Sequence, residues 1–166
     1  MQSAKLKNKF RFLPDIATAD LAFEAFGKDT SELFESAGLA LESAMVDLNS
    51  LETQEVRKIN LRSDSLENLL SLFLEELVFL KDSEQILFNE IICDVRSKSN
   101  DMQSLAESRL GKSKINWYEL ESKLSGEKIN RQKHKLGVDV KAVTKHLFKI
   151  ESLQDKTYRC QVVLDV

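Results

Sequence analysis

The chain has 166 residues, of which 42% are hydrophobic and 31% charged, and its formal net charge is −3. These values are ordinary for one globular domain that folds without disulfide staples, and they exclude a disordered chain. No apolar signal core follows the basic residues 1–9, and the longest apolar stretch, residues 69–80, contains two glutamates. We therefore expect a cytoplasmic protein with no membrane-spanning segment and no membrane partner.

Charge is distributed unevenly along the chain. Acidic residues outnumber basic ones over residues 15–94, whereas basic residues predominate from residue 95 to the end. Such an asymmetry arises either from a nucleic-acid-binding surface or from two faces that pair within one fold. No aromatic stacking platform accompanies the basic half, which favours pairing within the fold over direct RNA binding.

The two cysteines, Cys93 and Cys160, both lie in apolar, strand-like runs. A disulfide framework needs more cysteines and an oxidising compartment. We therefore predict two reduced thiols in the core, with a disulfide between them as the less favoured alternative.

The apolar pattern predicts the elements of the first half of the chain. Pro14 interrupts the segment that begins at Phe10, and alternation then predicts a strand that ends at Gly27. Asp29 and the two hydroxyl residues after it can cap a helix that runs to about Val46. The next predicted elements are a strand over 55–61, a helix capped by Ser63 or Asp64 with an apolar stripe over 66–80, and a strand over 86–96.

In the second half, residues 97–114 are polar and predict an insertion with a weak helical pattern. Later elements are a strand over 115–124, a strand pair or bulged strand over 138–150, and a final strand over 158–166. Together these elements predict an α+β domain with a mostly antiparallel, six- or seven-stranded sheet and two helices packed on one face. We assign residues 1–9 to a basic extension and residues 10–166 to a single domain.

Catalytic motifs are missing from the sequence. The five glycines form neither a dinucleotide-binding nor a Walker A loop, and no nucleophile elbow is present. The two histidines lack zinc-ligand spacing. His134, in a lysine-rich loop, is predicted to be solvated, and His146 to be structural or exposed. We therefore expect a binding protein with no catalytic residues, not an enzyme.

Carboxylate residues lie at the ends of two predicted apolar strands. Asp20 follows small residues and precedes the first apolar strand, and Asp165 and Val166 end the last one. A side-chain carboxylate next to the α-carboxylate of Val166 offers the oxygen ligands that Ca²⁺ and Mg²⁺ prefer. The alternatives are a turn-forming or capping role for Asp20 and a frayed, solvated terminus.

Residues 17–27 (ATADLAFEAFG) resemble the signature H-T-A-D-[IV]-x-[IV]-x-[AG]-[YF]-G of the archeases. The resemblance continues in order through residues 31–35, 69–77, 126–128 with His134, 140–146 (VKAVTKH) and 162–166 (VVLDV). Two positions depart from the family pattern: Ala17 replaces a histidine, and Lys145 replaces a tyrosine. The insertion over 97–114 also looks longer than is usual in the family.

The resemblance implies a role as well as a fold. Archeases are small accessory proteins of the GTP-dependent RNA ligase RtcB, and they promote guanylylation of the ligase and its multiple turnover in tRNA splicing and RNA repair. They bind a divalent cation, typically calcium, with magnesium or manganese as alternatives; the motif positions imply Asp20, Asp165 and Val166 as its ligands here. RNA is then contacted only indirectly. A chaperone-like interaction module for RNA- or DNA-processing proteins is the alternative.

Overall fold

Two helices and seven strands make up the part of the chain that the structure, a computed structural model, describes: residues 9–14, 20–101 and 114–166. In chain order the elements are β1 (Phe10–Phe12), β2 (Leu21–Gly27), α1 (Thr30–Met45), β3 (Glu55–Ser63), α2 (Leu66–Glu84), β4 (Ile86–Asp101), β5 (Lys114–Lys128), β6 (Ala142–Ser152) and β7 (Tyr158–Asp165). A short 3-10 turn, Leu48–Ser50, lies between α1 and β3.

The strands form two antiparallel sheets. One sheet has the order β1-β2-β7-β6 and the other the order β3-β5-β4. The predicted α+β class, with two helices and seven antiparallel strands, is confirmed, and the strands divide between two sheets instead of forming one. Alternation of apolar residues shows which face of a strand is buried, but it does not show which strand is its neighbour.

Helix α1 lies between the two sheets and packs against β2 on one side and β4 on the other. It begins as predicted, because the Asp29 side chain accepts a hydrogen bond from the Glu32 N–H at 2.8 Å. Both apolar and small residues of this helix are buried, including Gly38, whose position faces Ile91 and Phe73. A helix buried on every side is expected where two layers enclose it.

Helix α2 packs against the three-stranded sheet and against β6. Its N-cap is Ser65, whose hydroxyl accepts from the Asn68 N–H at 3.1 Å, instead of the predicted Ser63 or Asp64. The helix ends at Glu84, and its C-cap, Gln85, adopts a left-handed conformation with φ of 55°. Among the residues described, neither helix is long and apolar enough to cross a membrane.

The predicted insertion coincides with the ends of two long strands. β4 continues to Asp101 and β5 begins at Lys114, while residues 102–113, where the weak helical pattern falls, lie outside the described residues. The bulged-strand alternative for residues 138–150 is the one observed, because the β6–β7 register shifts between Thr144 and Lys149. The final strand forms as predicted.

Candidate functional site

Strands β2 and β7 are neighbours in the four-stranded sheet and bring Asp20 close to the last residues of the chain. Their register pairs Leu21 with Leu164. Asp20 immediately precedes Leu21 and Asp165 immediately follows Leu164, so the register continued by one position sets the two aspartates across from each other. Both side chains are exposed. Opposed positions on neighbouring strands place Cβ atoms roughly 5 Å apart, which is close enough for both carboxylates to contact one cation.

Val166 follows this pair and is half-buried, because its side chain packs against the core. The main-chain carbonyl of Asp165 accepts a hydrogen bond from the Lys141 N–H at 2.8 Å. This bond anchors the end of β7 to the start of β6. Within the described ranges, no set of three His, Cys, Asp or Glu side chains forms a metal-binding group. A cation held here would therefore require the main-chain oxygens of Val166 in addition to the two aspartates.

The donor chemistry of these three residues suits a hard divalent cation. Carboxylate and main-chain oxygens are ligands that calcium accepts in flexible geometry, and two opposed carboxylates repel each other without a positive charge between them. Ala17, where the family has a histidine, lies outside the described residues. The predicted ligand set of Asp20, Asp165 and Val166 therefore remains a prediction whose geometry the strand register favours.

A second cluster surrounds Glu127 and is buried. The Glu127 carboxylate accepts hydrogen bonds from Lys133 Nζ at 2.6 Å, from the Glu52 N–H at 3.0 Å and from His134 Nε2 at 2.9 Å. These hydrogen bonds, that from Lys133 most of all, lower the pKa of Glu127 to about 2. The Asn130 N–H donates to His134 Nδ1 at 2.9 Å, so that nitrogen carries no proton and Nε2 is the donor.

The prediction that His134 is solvated is therefore wrong, because only 5% of this residue is exposed. Its neighbours in sequence, Lys133 and Lys135, are exposed, and Lys133 reaches Glu127 from the surface, whereas the His134 ring lies inside the protein against the same carboxylate. The segment that follows docks on the end of α1: the N–H groups of Gly137 and Val138 donate to the carbonyls of Met45 and Ala44. The Glu127–His134 pair thus fixes a loop that satisfies the C-terminus of the central helix.

The same loop is also tied to α2. The ammonium group of Lys81, a largely buried residue, donates to Asp139 Oδ1 at 2.5 Å and to the Val140 carbonyl at 2.6 Å, and it lies 2.9 Å from Asp82 Oδ1. These contacts hold the residues that lead into β6. Lys141 and His146, which belong to the family-like motif at residues 140–146, are exposed.

Glu42 is the most deeply buried acid of the described chain. Its Oε2 accepts from the Phe88 N–H at 3.0 Å, where the β4–β5 register shifts between Phe88 and Glu90, and its Oε1 has no hydrogen-bond partner. Burial raises its pKa to about 8. The two cysteines are also buried and unpaired, as predicted, and burial raises the pKa of both thiols to about 12. None of these groups reaches solvent, so each serves packing.

The structure thus defines an α+β domain in which two antiparallel sheets enclose a helix and an exposed carboxylate pair lies at the end of two neighbouring strands. The sequence profile of the Archease protein family (MTH1598/TM1083) matches residues 10–166. The protein archease of Pyrococcus abyssi is 34% identical over 149 residues, which cover 90% of this chain and 94% of that protein. For the protein archease of Sulfurisphaera tokodaii, identity is 32% over 158 residues, or 95% and 99% of the two chains. This chain belongs to the archease family.

Solved structures agree with this assignment. The solution structure of Methanobacterium thermoautotrophicum protein 1598 matches with a TM-score of 0.68 at 28% identity, and it covers 96% of this chain and 99% of that protein. The crystal structure of an archease from Thermotoga maritima, described as a possible chaperone, matches with a TM-score of 0.54 over 93% and 96% of the two chains. Because identity to the latter is 20%, that similarity supports the fold alone.

Proposed function

We propose that this chain is a cytoplasmic accessory protein of an RtcB-type, GTP-dependent RNA ligase. It promotes guanylylation of the ligase and so sustains multiple turnover in tRNA ligation, while it catalyses no reaction itself. The observation that carries this proposal is the juxtaposition of Asp20 and Asp165 by the β2–β7 register within an archease fold. These are the positions at which the resemblance to the family implies a cation.

The proposal includes a divalent cation, calcium by preference, with Asp20, Asp165 and Val166 as ligands. When bound, such an ion supplies positive charge that can organise phosphate oxygens. The chain's own residues contribute the framework: the β2–β7 ladder holds the two aspartates in register, and the Lys141 N–H fixes the carbonyl of Asp165. The exposure of both aspartates leaves the site open toward a partner.

A role in binding agrees with how the titratable groups are used. Glu127 and His134 satisfy each other inside the protein. Lys81 is engaged by Asp139 and by a main-chain carbonyl. These groups are engaged inside the protein and stabilise the fold, whereas the aspartate pair at the end of β2 and β7 is exposed.

A chaperone-like interaction module is the second candidate function. Two large apolar residues, Leu72 and Phe79, are 41% and 59% exposed on the solvent side of α2. They lie seven residues apart, so they share one face of the helix. Exposed apolar surface of this kind can bind unfolded clients. Rescue of unrelated aggregating proteins, without preference for a ligase, would favour this second candidate.

The deciding experiment measures guanylylation of a purified RtcB-type ligase by GTP, in single-turnover and multiple-turnover conditions. We expect this chain to increase both the rate of guanylylation and the number of ligation cycles per ligase. An Asp20→Asn variant should lose most of this stimulation, whereas Glu121→Gln, which changes an exposed acid on β5, should retain it. Equal rates with and without the wild-type chain would refute the proposal.

A further inference from the structure

Strand β6, the last strand of the four-stranded sheet in the described part of the chain, carries an irregular projection. Its register with β7 pairs Thr144 with Val163 and then Lys149 with Gln161. The four residues between them, 145–148, therefore face a single residue of β7 and bulge out of the ladder. We call this segment the β6 bulge. A bulge at a sheet edge redirects side chains and interrupts pairing.

The centre of the β6 bulge has an unfavourable conformation. Leu147 has a φ of 55°, in the left-handed region that branched and bulky residues avoid, and it is one of three non-glycine residues with positive φ in the described chain. Its side chain is 47% exposed. The backbone is thus strained at a residue whose apolar side chain is exposed to solvent. Neither the strain nor the exposure of Leu147 stabilises the folded monomer. Strain retained in this way is typical of functional surfaces.

The bulge is held in a fixed position despite its exposure. Gln161 Nε2 donates to the Leu147 carbonyl at 3.1 Å. The ammonium group of Lys145 lies 5.5 Å from the centre of the Phe148 ring, within the range of a cation–π contact. Preorganisation of this kind lowers the entropy lost when a partner binds.

The surroundings of Leu147 are basic. Its neighbours in the bulge, Lys145 and His146, are exposed, and so is Lys141, which immediately precedes β6. The nearest acid of the same strand, Glu151, is engaged by Lys149 at 3.0 Å and by Arg159. The bulge therefore presents the exposed apolar side chain of Leu147 next to basic residues. A surface of complementary chemistry has an apolar pocket with carboxylates at its rim.

The β6 bulge lies on the same face of the sheet as Asp165. Along β7, Val162 and Leu164 point into the core, so Gln161, Val163 and Asp165 occupy the opposite face. Because Gln161 holds the Leu147 carbonyl, the bulge folds over that opposite face. Thr144, where the bulge begins, is two residues from Ala142, the partner of Asp165, or roughly 7 Å along the strand.

From these observations we infer that the β6 bulge is the surface on which this chain docks a partner protein, whose matching surface is an apolar pocket rimmed by carboxylates. Leu147 is the apolar anchor, and Lys145 and Lys141 select for the acidic rim. A protein seated on the bulge lies beside Asp20 and Asp165. The inference deepens the proposed function and rests on it, because the partner meant is the RNA ligase.

A bulge can also serve only to block edge-to-edge pairing of strands. That role requires the irregular backbone and not the apolar side chain, so substitution of Leu147 separates the two roles. Leu147→Gly introduces a residue that adopts positive φ without strain, and it removes the apolar anchor. Leu147→Asn also tolerates positive φ and keeps a side chain of similar size, now polar. Lys156→Gly, at φ of 66° in the β6–β7 turn, is the matched control.

The experiment measures the Kd of a purified RtcB-type ligase for each variant by calorimetry, together with the Tm of each variant. We expect Leu147→Gly and Leu147→Asn to raise Kd about tenfold or more, as loss of a central apolar anchor does. Their Tm should equal or exceed that of the wild type, because strain is relieved. Lys156→Gly should show the same Tm trend with unchanged Kd.

The two ways of failing are distinct. Wild-type chain that does not bind the ligase refutes the proposed function and this inference with it. Wild-type chain that binds, with a Kd unchanged by both Leu147 substitutions, overturns the inference alone. A rise in Kd accompanied by a lowered Tm in both variants would also overturn it, since that pattern indicates a structural role for Leu147.

Discussion

The imidazole of His134 and the carboxylate of Glu127 lie 2.9 Å apart, and the ring is oriented by the Asn130 N–H on its other nitrogen. This pair closes the loop that caps α1, since Gly137 and Val138, three and four residues later, donate to the last carbonyls of that helix. The Glu127 carboxylate also accepts a hydrogen bond from the Glu52 N–H. This bond joins the segment before β3 to the end of β5. One carboxylate thus connects three segments that are distant in sequence.

Glu127→Gln should lower Tm by several degrees at neutral pH, because the amide loses the charge-assisted hydrogen bonds from Lys133 and His134. The pKa of Glu127 is about 2 in the folded protein, against an ordinary value of 4.5. Its ionised form therefore stabilises the fold above pH 4.5, and this contribution is lost as pH falls from 4.5 toward 2. Thermal unfolding of both proteins between pH 7 and pH 3 measures the effect.

Glu52→Gln is the matched control for that prediction. Glu52 also contacts Lys133, at 3.3 Å, but its side chain is 63% exposed, and exposed ion pairs contribute little. We expect its Tm to stay close to that of the wild type at every pH. A Glu127→Gln protein with wild-type Tm at pH 7 would show that the buried cluster does not stabilise the loop.

The cation site makes a prediction that needs no ligase. A ligand that binds only the folded state stabilises it by about 3 kcal/mol at a free concentration of about 100 times Kd. Calcium at that excess should raise the Tm of the wild-type chain, and Asp20→Asn or Asp165→Asn should abolish most of the increase. Glu121→Gln, on the other sheet, should keep the full increase. Calcium titrations followed by differential scanning fluorimetry test this, and equal increases in all four proteins would exclude these ligands.

Local signals explain which parts of the fold are predictable from the sequence. Helix α1 is predictable because Asp29 caps it and its apolar residues repeat within a few positions. The division into two sheets is not, because strand pairing is decided between residues far apart in the chain. Asp20 and Asp165 illustrate the difference. The sequence pattern shows two carboxylates, each at the end of an apolar strand, and only the family resemblance suggests that these two strands are neighbours.

For His134, the local sequence pattern leads to a wrong prediction of exposure. Lys133 and Lys135 flank it and indicate an exposed loop, and both lysines indeed lie farther out than the histidine. Its burial depends on Glu127, seven residues earlier, and on the main-chain N–H of Asn130, neither of which a local pattern reveals. In the sequence, only the family resemblance of Gly-Glu-Lys at residues 126–128 together with His134 links the two residues.

Gly126→Ala should destabilise the protein by about 2 kcal/mol or more, as overpacking against rigid atoms does. A Cβ at this position would lie 1.9 Å from the Leu87 carbonyl oxygen, so the β4–β5 pair would have to separate. Gly38→Ala is the control, because its Cβ would meet side-chain atoms and not main chain, Ile91 Cδ1 at 2.7 Å and Phe73 Cε1 at 3.2 Å, and alanine favours a helix. Urea unfolding of the two variants should show a large loss for the first and a much smaller change for the second.

Glu42→Gln should stabilise the protein at alkaline pH and leave it unchanged in acid. The pKa of Glu42 is raised to about 8 in the folded protein, from an ordinary value of 4.5, because burial disfavours the charged carboxylate. The folded state therefore binds a proton that the unfolded state releases between pH 4.5 and pH 8, so stability is lost as pH rises through that range. Glutamine resembles the protonated acid and removes this dependence.

The measurement compares the Tm of wild type and Glu42→Gln from pH 5 to pH 9. The two values should coincide near pH 5 and diverge by several degrees near pH 8, with the variant higher. Glu42→Leu is the companion variant: it has no charge to bury, but it leaves the Phe88 N–H without its acceptor, so it should be less stable than Glu42→Gln at every pH. A constant difference between wild type and Glu42→Gln across this range would mean that the buried carboxyl does not titrate there.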